Sequence, residues 1–132
     1  MGFFSWILNG ICDDTNDESL LFVKALCEQD TPLIEESRFG YRFNFELGFP
    51  ECEIDLTYDS LRKYWYMNSI WNKEGGFLYY WDSLSIPPKD TIDYLIDKFD
   101  LTTRLNTALE KFNEQEKLEK ASANAIKRKY LT

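Results

Sequence analysis

The sequence predicts an α+β domain in which one helix precedes a four-stranded antiparallel meander and two helices follow it. Three observations lead there. Apolar residues recur at helical spacing near residue 20, alternate strictly with polar ones from 39 to 58, and return to helical spacing after Pro87-Pro88. The length of 132 residues suits one domain, 1–132. The chain is 44% apolar and 17% aromatic, enough to build a core without disulfide or metal support.

The first helix is expected from about 16 to 29. Thr15-Asn16-Asp17-Glu18 has the form of a capping box. Leu20, Val23, Leu26 and Cys27 share a stripe, and Pro32 ends the run. The apolar start, Met1 to Leu8, lacks a basic leader and is too short to span a bilayer, so it reads as core packing or a short helix.

Two strands follow. Phe39, Tyr41, Phe43, Phe45, Leu47 and Phe49 alternate with polar residues or glycine, and after Pro50 the phase changes to Cys52, Ile54, Leu56 and Tyr58. A four-residue loop, Gly48 to Glu51, would pair 47 with 52, 45 with 54 and 43 with 56. The polar face would then set Glu46 against Glu53 and Asn44 against Asp55.

A second hairpin is expected over 61–84, around the turn Asn72-Lys73-Glu74-Gly75-Gly76. Trp65, Met67 and Trp71 would face Phe77, Tyr79 and Trp81. Tyr64, Tyr66, Tyr80 and Leu84 would lie on the other side with Asn68 and Asp82. A helix capped by Asp59 competes for 61–71, but the β-prone aromatics favour a strand. Asp90 and Asp100 are placed to cap two final helices, carrying Ile92, Leu95, Ile96 and Phe99, then Leu101, Leu105, Ala108, Leu109 and Phe112. Residues 118–132 read as a solvated or frayed helical tail.

The formal net charge is −8, with eight acids against one base in residues 1–37 and seven bases against four acids in 101–132. Such a balance disfavours nucleic-acid backbones and anionic membranes as partners and suits a basic protein. Histidine is absent, which removes imidazole acid–base chemistry and His-containing triads. Cys12, Cys27 and Cys52 are too few for an all-cysteine zinc site and form no CxxC pair, so a reducing cytoplasm is the expected setting. The Asp13–Glu18 run lacks the glycine and distal glutamate of a calcium loop. The adjacent pairs Asp13/Asp14 and Glu35/Glu36 read as solvated loop. No cofactor is implied, and an enzyme using carboxylates is the least favoured reading.

Three surfaces are candidates for partner binding. The first is the acidic strand face of Glu46, Glu51, Glu53 and Asp55. The second is the N-terminal run Asp13, Asp14 and Asp17, where helix capping is the competing explanation. The third is the aromatic face of Tyr64, Tyr66 and Tyr80 with Asp82.

In size, acidity, mixed α/β content and aromatic richness, the chain resembles bacterial immunity proteins of contact-dependent growth-inhibition systems. The resemblance rests on no residue motif and transfers no site. It implies a cytoplasmic inhibitor that covers the basic surface of a toxin domain. An acidic adaptor or nucleic-acid mimic is the alternative, and would carry carboxylates spaced like phosphates over a long surface.

Overall fold

The computed structural model describes residues 19–81 and 86–131, with side chains as far as 125. It is α+β, with a five-stranded antiparallel sheet rather than the four strands expected. Helix α1 (Ser19–Gln29) leads into β1 (Leu33–Phe39), β2 (Arg42–Gly48), β3 (Cys52–Asp59), β4 (Tyr64–Asn72) and β5 (Gly76–Tyr80). Helices α2 (Lys89–Lys98) and α3 (Leu101–Leu131) follow. The strands are ordered β1-β2-β3-β4-β5, a pure meander. The expected capping residue Thr15 lies outside the described residues.

The additional strand arises at Gly40. The sequence reads as one strand from Phe39 to Phe49, but Phe39 pairs with Arg42 across a two-residue turn of Gly40 and Tyr41. Gly40 has φ +63°, a conformation that costs a residue with a Cβ on the order of 1 kcal/mol, and glycine at this first turn position matches a type II′ hairpin. Phe39 and Tyr41 therefore leave the core and are exposed.

The β2–β3 register differs from the expected one by two residues. Phe45 pairs with Leu56, Leu47 with Ile54 and Glu46 with Asp55. The Phe49 amide bonds the Cys52 carbonyl at 2.8 Å, so the loop shrinks to Pro50 and Glu51. A shift of two keeps every side chain on its face, and alternation alone cannot distinguish the two registers. The shorter loop wins because it adds Phe49 and Cys52 to the ladder, where both are buried. Burying a side chain the size of Phe49 contributes about 1.5–3 kcal/mol.

Residues 64–72 form a strand, not a helix. Its phase changes midway, because Asp55 pairs with Ser69 while Leu56 pairs with Met67, leaving Asn68 as the extra residue of a bulge. Met67 and Ile70 both reach the core as a result. Trp71, expected beside Trp65 and Met67, pairs instead with Glu53 and Phe77 on the opposite face.

The core lies between the sheet and the helices. Phe43, Phe45, Leu47, Ile54, Leu56, Met67 and Ile70 meet Val23 of α1, Ile92 and Leu95 of α2, and Leu101 and Leu105 of α3. Phe112 of α3 packs edge-on to Phe43 at 5.8 Å. Arg38 stacks over the same ring at 4.5 Å. The Ser19 and Thr91 hydroxyls are 2.7 Å apart and join α1 to the start of α2.

The helix ends differ from expectation in detail. Asp90 lies within the first turn of α2, after an N-cap at Pro88 that makes no side-chain cap bond. Asp100 precedes α3 and accepts a hydrogen bond from the Thr103 hydroxyl at 2.9 Å. Helix α3 continues well past its apolar stripe, and residues 113–125 are exposed throughout.

Candidate functional site

The helices and the core occupy one face of the sheet. The other face has a sharp internal division that follows from the registers. Across β1, β2 and β3, Glu35 pairs with Glu46, and Glu46 with Asp55. Neighbouring strands are about 4.8 Å apart, so this row of carboxylates spans roughly 10 Å. Glu53 follows Asp55 on the same side of β3. Beyond Asp55 the row continues to Ser69 and Tyr80. The next row runs from Gly48 to Glu53, Trp71 and Phe77. Acids thus fill the β1–β3 half, and aromatics fill the β4–β5 half.

Electrostatics single out Glu46. Partial burial, followed by the fields of Glu53, Asp55 and Glu35, raises its carboxyl above the ordinary carboxylate value. Among the described residues, none of these four acids has a cationic side chain within 4 Å; the ion pair that is found, Arg104–Glu36 at 3.6 Å, lies on the helix side of β1. Lys73 borders the same shallow depression as Leu33, Glu35, Glu46 and Glu53. Its ammonium is directed to the Pro50 carbonyl, 3.4 Å away.

A polar cluster supports the acids from beside the bulge. The Asn44 amide donates to Asp55 Oδ1 and to Thr57 Oγ1, the latter at 3.0 Å. Asn68 donates to the same Thr57 oxygen at 2.6 Å. Thr57 is 4% exposed, although it lies on the face away from the helices. The bulge is what allows Asn68 to reach it.

The aromatic half is continuous. Tyr64 and Tyr66 have ring centroids 5.6 Å apart, Tyr66 and Trp81 6.2 Å, and Phe77 and Tyr80 5.2 Å. Tyr64, Phe77, Tyr80 and Trp81 are exposed. Tyrosine and tryptophan in this setting offer large contact areas at low entropic cost, and their ring faces attract cations.

Of the residues singled out in the sequence, Glu46, Glu53 and Asp55 come together, and Tyr64, Tyr66 and Tyr80 lie beside them on one face. Glu51 does not join them. It occupies the two-residue turn, where its carbonyl accepts the Lys73 amide at 2.9 Å, and it borders a depression beside α1. Asp13, Asp14, Asp17 and Asp82 lie outside the described residues.

Glu35, Trp71 and Phe77 are members of the face that sequence reasoning missed. Glu35 reads as loop because Leu33 to Phe39 shows no clean alternation, as is usual for an edge strand exposed on both sides. Among the described residues, no group of three or more Cys, Asp or Glu side chains is arranged to hold a metal ion. No helix among them is long and apolar enough to cross a membrane. Comparisons with protein-family models, curated proteins and solved structures return no significant match.

Proposed function

We propose that the chain is a protein-binding inhibitor, an immunity protein that neutralises a toxin domain in the cytoplasm by covering its basic surface. The observation carrying this reading is the row Glu35–Glu46–Asp55 with Glu53 beside it, four carboxylates without a cationic partner among the described residues. Like charges set directly opposite one another are destabilising by a few tenths of a kcal/mol per pair. Lysine or arginine side chains from a partner would relieve that repulsion on docking, and opposite fields would speed the encounter. The adjacent aromatics supply the apolar anchor that charge alone lacks.

The compactness of the patch favours this reading over a nucleic-acid mimic. The acids occupy three neighbouring strands and do not extend as a phosphate-like track along the sheet. The proposed mechanism is occlusion, without catalysis by the inhibitor.

The test is affinity purification of a stoichiometric partner from cells of the source, followed by titration against Glu46→Lys and Glu53→Lys. Weakened binding in folded variants, with an affinity of the native chain that falls as salt rises, is the expected result. Unchanged affinity in both variants would remove the carboxylate face from the interface.

A further inference from the structure

We infer that the partner adds a β-strand to the free edge of β1, with basic side chains on the carboxylate side of the extended sheet. This rests on the reading of the carboxylate face as the docking surface and specifies how the partner is held. β1 is the end strand of the order β1-β2-β3-β4-β5. Among the described residues, no strand pairs with its outer side.

The direction of its backbone groups follows from the ladder. The Phe49 amide bonds the Cys52 carbonyl, and the Ser60 amide bonds the Tyr41 carbonyl, so odd-numbered residues along β2 exchange bonds with β3. Antiparallel bonding alternates, so the even-numbered residues of β2 bond Leu33, Glu35, Ser37 and Phe39 of β1. The amides and carbonyls of Ile34, Glu36 and Arg38 therefore point away from the sheet. They form a template for one more strand, and β1 contains no proline to break it.

Side-chain chemistry on both sides of this edge defines the occupant. On the open face an added strand lies beside Glu35, next to Glu46, so its residues there are lysine or arginine. On the helix side, a groove between β1 and α3 is lined by Glu36, Thr103, Arg104, Thr107, Ala108 and Lys111. Small or polar side chains of the added strand fit that groove. A second copy of this chain is a poor occupant, since it would bring two acidic faces together at a net charge of −8 each. The opposite edge, β5, is shorter and is joined through a register irregularity beside Ile70 and Trp71.

The experiment uses a blocked peptide alternating lysine and threonine, of about the length of β1, titrated into the full chain and followed by amide NMR shifts and hydrogen exchange. Protection gained at the Ile34, Glu36 and Arg38 amides is the expected result. Glu36→Pro removes one outward donor while leaving the β1–β2 bonds in place, and should weaken binding about fivefold or more. Glu36→Gln, which keeps the amide, should bind as the native chain does. Absence of binding, binding without protection at these three amides, or unchanged affinity in a folded Glu36→Pro variant would overturn the proposal. So would a sedimentation result showing copies of the chain already paired through β1. If the proline variant does not fold, the exchange pattern of the native chain decides. Charge reversal at Glu46 and Glu53 separates the two readings. Loss of binding there with none in the proline variant leaves the face and removes the edge; the opposite pattern does the reverse.

Discussion

Glu46 and Asp55 stand opposite each other in the β2–β3 ladder, and Glu35 stands on the other side of Glu46. A carboxyl so placed holds its proton to higher pH when folded than when unfolded. The native chain then binds more protons than the unfolded chain in that window, so stability falls as pH rises through it. Glu46→Gln should therefore stabilise the protein at pH 7 by about 0.5 kcal/mol. The difference should vanish below the ordinary value of 4.5. Urea unfolding at the two pH values measures it. A basic partner that reverses the repulsion should also drive release of any proton Glu46 retains, visible as a buffer-dependent heat of binding.

Thr57 is buried on the face that is otherwise open, and its hydroxyl oxygen receives amides from Asn44 and Asn68. Thr57→Val preserves shape and improves β propensity, yet it leaves both donors short of an acceptor. A loss of about 1–2 kcal/mol in denaturant unfolding is expected. Asn68→Ala should lose less, because the same oxygen keeps its bond from Asn44.

Burial, with the field of Glu53 second, pushes the Cys52 thiol up to about 12. Burial also raises the Cys27 thiol, against a smaller lowering by Lys98. The thiolate is the reactive form, so Cys52 should resist iodoacetamide at pH 8 in the folded protein. Denaturation should expose it to complete alkylation, read by mass spectrometry of the peptide carrying Cys52.

Helix α3 divides at Phe112. Leu101 and Leu105 are buried, Ala108, Leu109 and Phe112 are partly buried against the core, and residues 113–125 are exposed. Leu105→Ala should cost about 2–4 kcal/mol. Removing residues 114–131 should shift the melting temperature by only a few degrees, because surface segments contribute little.

How much of this was legible in the sequence depended on what each residue buries. The alternation of Phe43, Phe45 and Leu47 with Arg42, Asn44 and Glu46 identified both faces of β2, since one face is buried and the other is not. The same pattern could not distinguish Asp55 from Glu53 as the partner of Glu46, because a two-residue shift moves no side chain between faces. Leu33 to Phe39 carried almost no signal, being exposed on both sides. The Asn68 bulge was hidden because Trp65, Met67 and Trp71 fit an unbroken period of two. The pairings that bring Met67 and Ile70 into the core together, rather than any local rule, move Trp71 to the carboxylate side. The acidic and aromatic halves of the candidate site were each visible as composition. Their meeting at the β3–β4 boundary required the register.

The pure meander also bears on how the chain acquires its fold. Every strand pairs with its immediate sequence neighbour, so each ladder closes a short loop and pairing can begin before the C-terminal residues are available. Leu101 and Leu105, which complete the cover over Phe43 and Phe45, come later in the chain. During synthesis from the N-terminus, the hairpins can precede their cover, and their apolar face is the surface at risk of aggregation in that interval. The folding rate should accordingly respond more to substitutions at the β2–β3 turn than to those in α3, whereas Leu105→Ala should act mainly by speeding unfolding.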